Sequence, residues 1–516
     1  MNLFRAFATV GGYTMVSRIL GFARDILIAG ILGTGLVADA FFVAFKLPNF
    51  FRRLFAEGAF NAGFVPLFSG LLTNHGPARA QAFAEQALSF LLLTLFLFVT
   101  LAQLTMPWLM QVLAPGFVDD PERFDLAVAF TRITFPYLLF ISLVSLMGGV
   151  LNSLQRFAAV AATPVLLNIC LIAAITLLSP HLPSPGHALA WGVAVAGVVQ
   201  LVWLSVACQR AGMNLRLPRP RLTPKIRELL HLMLPAALGA GVVQINLVID
   251  IILASLLPKG SVSFLFYADR LNQLPIGVVG VAVGTAILPL LSRLVAQNDQ
   301  PGALQALNRA IELTLFLALP AMFAFFLTAD ELILTLFQRG QFDAAAARAT
   351  AFALTAYAVG LPAYVLVKVL GPAFFARRDT RTPVLVGIAA MLVNVIGNLI
   401  LMQFLAHAGL ALATAIAAWL NVGLLSWILY RRGDLVPDTR LIQRLGRALS
   451  AALIMALVLW WLKDLLAAPF LVGGEMQRIL ALAALVVAGM LSYALAAMIL
   501  RAVRWDEIKA LLARRR

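Results

Sequence analysis

The stretch ARAQAFAEQALSFLLLTLFLFVTLAQLTMPWLMQVLAPGFVDDPERF, Ala78 to Phe124, decides the fold class. From Gln86 to Val118 it holds no Asp, Glu, Lys or Arg. A helical run of that length is long enough to cross a hydrocarbon core of ~30 Å, at about 1.5 Å per residue. Its flanks differ in sign: Arg79 precedes it, and Asp119, Asp120 and Glu122 follow it. Comparable apolar stretches recur to the end of the chain. Over 516 residues, 62% are hydrophobic and 12% are charged, and the mean hydropathy is +0.94. A soluble protein of this size cannot build a polar enough surface from that composition, so the chain reads as an all-α polytopic membrane protein. Arg18, Arg24 and Asp25 interrupt the first apolar run and no small-residue cleavage site follows, so that run reads as a retained span. Cys170 and Cys208 are too few for a disulfide framework or a metal site.

The formal charge of +16 raises the question of a nucleic-acid partner, but the distribution of the basic residues argues against one. They fall in alternate loops. Arg79 and Arg156 lie in two of these, and Arg210, Arg216, Arg219, Arg221, Lys225 and Arg227 form a third group. Arg293 with Arg309, Arg377 with Arg378 and Arg381, and Arg431 to Arg447 follow, and the tail ends Arg514-Arg515-Arg516. The intervening loops GTGLVAD, SPHLPSPGH, LPKGS and LAHAG are nearly free of Lys and Arg, and GFVDDPERF is mainly acidic. By the positive-inside rule both termini are cytoplasmic, which requires an even number of spans.

Fourteen spans satisfy the pattern: 4–33, 37–72, 81–113, 125–152, 158–180, 186–208, 228–257, 261–296, 308–337, 347–373, 382–404, 408–430, 445–467 and 477–501. The second is too long for one straight crossing, since 36 residues would reach ~54 Å. It contains Pro48, Gly58, Gly63 and Pro66 and is expected to be bent or broken, which is tolerated at membrane depth where protein or a wet cavity satisfies the backbone. The two halves resemble each other: TPVLLN from Thr163 recurs as TPVLVG from Thr382, and FVPLFSGLL resembles ILPLLSRLV. HALAWGVAVAGVVQLVWL from His187 can be laid against LALATAIAAWLNVGLLSW from Leu410. Each match pairs a segment with the one six spans later, which preserves orientation. The expected architecture is two six-helix lobes related by a parallel pseudo-twofold repeat, plus two C-terminal helices. The boundaries are 1–209 for the N-lobe, 210–227 for a basic linker, 228–433 for the C-lobe, 434–502 for the last two spans and 503–516 for a basic tail.

Charge inside these spans is costly, at least ~2.5 kcal/mol for an intramembrane Arg on insertion scales. Arg18, Arg24 and Asp25 lie in the first span, with Arg18 and Asp25 seven apart and so on one helical face. FFRRLFAEGAF, Phe50 to Phe60, places Arg52, Arg53 and Glu57 in the second. Asp269 and Arg270 lie in the eighth, with Lys46 and Lys368 in the second and tenth. Arginines in excess of acids should face a wet cavity, and their planar donor forks match phosphate oxygens, so an anionic substrate bearing phosphate or pyrophosphate fits best. Competing readings stay open. Arg52 and Arg53 can snorkel to the interface, Glu57 can cap a helix break, and Lys368 can be structural. Adjacent residues do not face each other on a helix, so pairing within Arg24–Asp25 and Asp269–Arg270 is expected to be poor.

A second constellation lies in the C-terminal half. Asp250 is the single acid inside the seventh span, Asn394 and Asn398 share a face of the eleventh, and Thr414 lies on the twelfth. These oxygens suit Na⁺ as a coupling ion, Asp250 alone can carry a proton, and the bland alternative is interhelical hydrogen bonding. Catalysis has little to run on. His75, His181, His187, His231 and His407 are scattered, and no H-E-x-x-H, G-x-S-x-G or Walker sequence is present.

SRILGFARD (Ser17 to Asp25), ADAFFVAFKLPNFFRRLFAEGAF (Ala38 to Phe60) and SVSFLFYADRLNQLPIGVVGVAVGT (Ser261 to Thr285) resemble the MurJ (MviN) family of lipid II flippases, within the MOP exporter superfamily. The resemblance runs over essentially the whole chain. It implies transfer of undecaprenyl-pyrophosphate-linked disaccharide pentapeptide from the inner to the outer leaflet of the bacterial cytoplasmic membrane, by alternating access of the two lobes. The last two spans would form a groove for the lipid tail. The family's cavity arginines match Arg18, Arg24, Arg52 and Arg270, and Asp25, Arg53 and Glu57 match positions around the same cavity. Asp250, Asn394, Asn398 and Thr414 are similar to a cation site of the C-lobe, implying Na⁺ or H⁺ as the coupling ion and no other cofactor. Gln273 stands where some relatives carry an acid. One chain holds both lobes, which suggests a monomer whose partners are lipid II and membrane lipids. The alternatives are another superfamily flippase for polyprenyl-linked saccharides or a cation-coupled exporter. An exporter of cationic drugs should line its cavity with acids rather than arginines.

Overall fold

The computed structural model describes residues 3–53 and 60–503, and among them every regular element is helical. Among the described residues nine helical stretches are long and apolar enough to cross a membrane, four between Pro77 and Arg210 and five between Gln300 and Ile499. The chain is therefore a multi-pass membrane protein. It divides into two compact units, Met1–Ser263 with Arg339–Phe342, and Phe264–Gln338 with Asp343–Arg516. The sequence draws its lobe boundary through the basic stretch 210–227, whereas contact density divides the chain after Ser263.

Unit 1 contains α1 (Leu3–Leu32), α2 (Leu36–Phe51), α3 (Asn61–His75), α4 (Pro77–Leu104), α5 (Met106–Leu113), α6 (Pro121–Thr134), α7 (Tyr137–Ser153), α8 (Phe157–Ala173), α9 (Pro185–Arg210) and α10 (Pro224–Ser255). α1 packs on α8, α2 on α6, and α9 on both α7 and α8. Small residues set these distances: a Cβ on Gly192 of α9 would lie 2.6 Å from the Ala174 Cβ, so nothing larger lets the helices approach. Buried Phe41, Phe42, Phe64, Phe68, Phe130 and Phe135 fill the unit.

The regular α-helix of the long second segment stops at Phe51 and starts again at Asn61, and the expected break falls on residues 54–59, outside the described ones. Pro48 lies inside α2 and cannot donate to the Ala44 carbonyl. The Thr134 hydroxyl of α6 donates to that carbonyl instead, at 3.2 Å. After Phe51 the backbone turns π-helical at Arg52 and Arg53, and α3 starts at Asn61. The basic stretch after α9 has no regular secondary structure, and α4 side chains bond to its backbone at three points. Gln81 Nε2 donates to the Asn214 carbonyl at 2.8 Å, while Glu85 and Gln86 accept from the N–H groups of Arg216 and Arg221. Thr223 then caps α10 by accepting from the Ile226 N–H.

Unit 2 contains most of α11 (Ser261–Pro275), then α12 (Val281–Ala296), α13 (Gln300–Phe337), α14 (Ala344–Phe375), α15 (Arg381–Arg431), α16 (Thr439–Leu465), α17 (Ala467–Val472) and α18 (Glu475–Ile499). α11 and α12 are joined by a π-helical turn, Ile276–Gly280, directly after Pro275. α14 packs on α13 and α15, and α16 packs on α13 and α18. Residues 381–431 cover two expected spans, and the break falls at Ala406, where φ is 48°. The chain folds back there, because Asn394 and Thr414 on either side of the break are hydrogen-bonded at 3.2 Å.

Candidate functional site

The intramembrane charges of α1 do not share one environment. Arg18 is exposed, whereas Arg24 and Asp25 are buried, at 6% and 3% relative exposure. Arg24 donates from Nε and Nη2 to Asp25 Oδ1, at 3.0 and 2.7 Å. The expected poor pairing of these neighbours is overturned: the long guanidinium folds back around the adjacent carboxylate, and burial leaves the two groups each other as counter-ions. The remaining fork goes elsewhere. Arg24 Nη1 donates to Asn168 Oδ1 on α8 at 2.9 Å, and Asn168 Nδ2 donates to the Ser17 carbonyl at 2.9 Å. Asn168 thus ties the guanidinium to the helix that carries it. It ends the TPVLLN motif, whose later copy ends in Gly387, and that asymmetry is the sequence signal that could have singled it out.

At the end of α2, Arg52 is half-buried and donates from Nε to Asn49 Oδ1 at 3.2 Å, while Arg53 is exposed. Asn49 Nδ2 in turn donates to the Phe45 carbonyl at 2.9 Å, so the Arg52 guanidinium is held by a residue anchored to its own helix. Glu57 lies outside the described residues. In unit 2, the Arg270 guanidinium stands over the Phe266 ring at 4.7 Å, a cation–π geometry that accommodates charge in an apolar helix. Gln273 donates from Nε2 to Asp269, one turn earlier on α11. Lys368 is exposed on α14, beside Gly280 and Gly284, whose missing side chains make room for its stem.

Asn394 and Asn398 are buried and bonded in series. Asn398 Nδ2 donates to Asn394 Oδ1, and Asn394 Nδ2 donates to Thr414 Oγ1, both at 3.2 Å. The Thr414 hydroxyl donates to the Leu410 carbonyl at 2.9 Å. Asp250 is half-buried in unit 1, with Asn246 Nδ2 at 3.5 Å from its Oδ2. Among the described residues no group of three or more His, Cys, Asp or Glu is placed to hold a metal ion.

Asp39, in the second quoted family motif, forms a charge cluster that the sequence reading passes over. Its carboxylate is fully buried and accepts from Arg123 Nη2 at 2.6 Å, Gly260 N–H at 2.7 Å and Ser263 N–H at 2.8 Å. Arg123 also stacks 3.8 Å above the Phe117 ring. Nearby, the Lys259 ammonium lies 2.8 Å from Asp120, and this hydrogen bond holds the Asp120 carboxyl below its ordinary range. Asp39 therefore joins α2, α6 and the start of α11 at one end of unit 1. A lone acid beginning an apolar run was its only visible signal.

The fold defines the class first. A solved inward-facing multidrug resistance MATE family transporter of the MOP superfamily aligns with a TM-score of 0.64 at 16% identity, covering 86% of this chain and 98% of that one. The chain has the MOP exporter fold. A solved lipid II flippase MurJ in an inward closed conformation aligns with a TM-score of 0.77 at 25% identity, over 95% of this chain and 98% of that one. The family described as "Lipid II flippase MurJ" matches residues 28–500. A "Probable lipid II flippase MurJ" of Rhizobium meliloti is 45% identical, covering 96% of this chain and 93% of its own. The "Lipid II flippase MurJ" of Burkholderia cenocepacia is 38% identical, covering 89% and 90%. The chain belongs to the MurJ family.

Proposed function

We propose that this protein moves lipid II from the inner to the outer leaflet of the bacterial cytoplasmic membrane, by alternating access and without chemical change to its cargo. The observation that carries this reading is the family match over residues 28–500, which spans the second and third quoted motifs and begins just after SRILGFARD. The buried charges fit the cargo. A pyrophosphate supplies the negative charge that arginine forks bind bidentately, and the polyprenyl tail can stay in lipid while the head group crosses. Arg52, half-buried at the end of α2, is the first pyrophosphate contact on this reading. Arg18, Arg24 and Arg270 supply further contacts, and Arg53 and Glu57 shape the bend after α2.

The finer architecture belongs to the same proposal. It comprises fourteen spans in two parallel six-helix repeats with two added C-terminal helices, both termini cytoplasmic, acting as a monomer. The serial bonding of Asn394, Asn398 and Thr414 supports their role as interhelical glue, which leaves Asp250 as the group to test for Na⁺ or H⁺ coupling.

Depletion tests the function. Cells losing the protein should accumulate lipid II that stays inaccessible to reagents added outside. Unchanged external accessibility would sink the flippase reading. Arg24→Ala and Arg270→Ala should each fail to support growth as the sole copy while still inserting in the membrane. Normal growth of either would remove that arginine from the mechanism.

A further inference from the structure

One end of unit 1 carries a groove of about 390 Å³, where α7 stops, α8 starts and α9 stops. Tyr13, Gln155, Arg156, Trp203 and Arg210 are among its lining residues. Local structure explains why two arginines stand there. α7 closes in a turn with Gln155 at φ 59°, where the Gln155 N–H donates to the Asn152 carbonyl and the Arg156 N–H to the Leu151 carbonyl. Arg156 is thereby placed at the entry to α8, and Arg210 is the last residue of α9. Trp203 donates its indole N–H to the Ala159 carbonyl at 3.0 Å, which ties α9 to the first turn of α8.

Both arginines are exposed, and neither guanidinium bonds to another described residue. The sequence explains why. Between Asp125 and Glu228 there is no Asp or Glu, while Arg132, Arg156, Arg210, Arg216, Arg219, Arg221, Lys225 and Arg227 all fall in that interval. The single acid of α1, Asp25, is twelve residues from Tyr13 and is engaged by Arg24. The helices that build the groove therefore offer no carboxylate, and the counter-ion has to come from outside. Along α9, exposed Val195, Val198, Val199, Val202, Trp203 and Val206 recur at helical spacing and form one apolar stripe that ends at Arg210.

We propose that this groove seats the phosphate of an anionic glycerophospholipid, with Arg156 and Arg210 on its oxygens and an acyl chain along the α9 stripe. Guanidinium forks match phosphate geometry, and Trp and Tyr are the residues that settle at the headgroup level. A free anion would satisfy the arginines equally but has no use for the stripe.

Native mass spectrometry of the full-length protein, with phosphatidylglycerol and phosphatidylcholine of matched chains, tests the site. The wild type should retain phosphatidylglycerol in preference by roughly fivefold or more, the effect that one basic residue exerts on an anionic headgroup. Arg156→Gln with Arg210→Gln should abolish the preference without changing the circular dichroism. Arg219→Gln with Arg221→Gln, the same loss of charge on the linker between α9 and α10, should leave it intact. A groove variant that keeps the wild-type preference, or a linker variant that loses as much, overturns the proposal. Displacement of the lipid by millimolar inorganic phosphate would overturn it too, as a site for a free anion, and its absence supports a lipid ligand.

Discussion

Both units gather arginine at one end, and the two ends differ in what neutralises it. In unit 2, Glu312 accepts from Arg309 and, at 2.7 Å, from Arg444, and lies 3.5 Å from Arg440. Arg309 also reaches Asp438, Arg377 meets Asp434 at 2.8 Å, and Arg432 meets Asp379 at 2.7 Å. Asp438 caps α16 as well, accepting from the Leu441 N–H. In unit 1, the single acid on the helices around Arg156 and Arg210 is Asp25 of α1, which Arg24 engages. A topology rule counts all these residues alike, yet their physics differs. Arginines with a carboxylate fasten helices to one another. Arginines without one present charge to whatever lies outside the fold.

The largest effect is expected where pairing is most buried. Asp39→Ala leaves the Arg123 guanidinium, 3% exposed, without its counter-ion, and should cost about 3–5 kcal/mol. Melting in detergent should fall by several degrees, and an unchanged midpoint would empty the paired class of energetic meaning. Glu312→Gln breaks a less buried network and should cost roughly 1–3 kcal/mol by the same measurement. The matched change in unit 1, Arg156→Gln, should stay within about 0.5 kcal/mol of wild type, because it breaks no pair.

The comparison can also be inverted. Ala158→Glu places an acid in the first turn of α8, where it lines the groove beside Arg156. Stability should rise by about 0.3–1 kcal/mol through the helix dipole. The preference for phosphatidylglycerol should fall, since the arginines then have an internal counter-ion. A preference that survives this acid would mean that the missing carboxylates do not matter.

The smallest effect concerns pH. Hydrogen bonds from the Thr382 hydroxyl and N–H, with Arg432 beside them, lower the Asp379 pKa from 3.8 to about 2. A carboxyl depressed by folding contributes stability that is complete above 3.8 and is lost as pH falls towards about 2. Asp379→Asn should flatten the acid limb of the melting profile over that window, because the stability it removes is present at neutral pH and vanishes towards about pH 2. An acid limb identical to wild type would remove Asp379 from the network.

Much of this was legible in one dimension. The end of α2 at Phe51 accords with the length and the prolines of the second segment, and helix lies over the described residues of the expected spans. The Arg24–Asp25 pair was misread, because helix-face arguments place Cβ atoms and say little about where a long side chain ends once burial removes water. Asn168 and Asp39 were not singled out. Asn168 acts 144 residues away on Arg24, and Asp39 binds partners 84, 221 and 224 residues distant. No local pattern encodes such separations.

The sequence by itself determined the membrane class, the positions of the helices and the sign of the charge in each loop. These are additive properties, because each stretch of about 20 residues meets the bilayer on its own terms. Only the tertiary structure decided which charges have partners. Pairing depends on atoms from distant helices arriving within about 3 Å, and burial then turns that geometry into energy. That is why Arg123 and Arg156, similar in sequence as isolated arginines near span ends, became an internal clasp and an outward-facing cation.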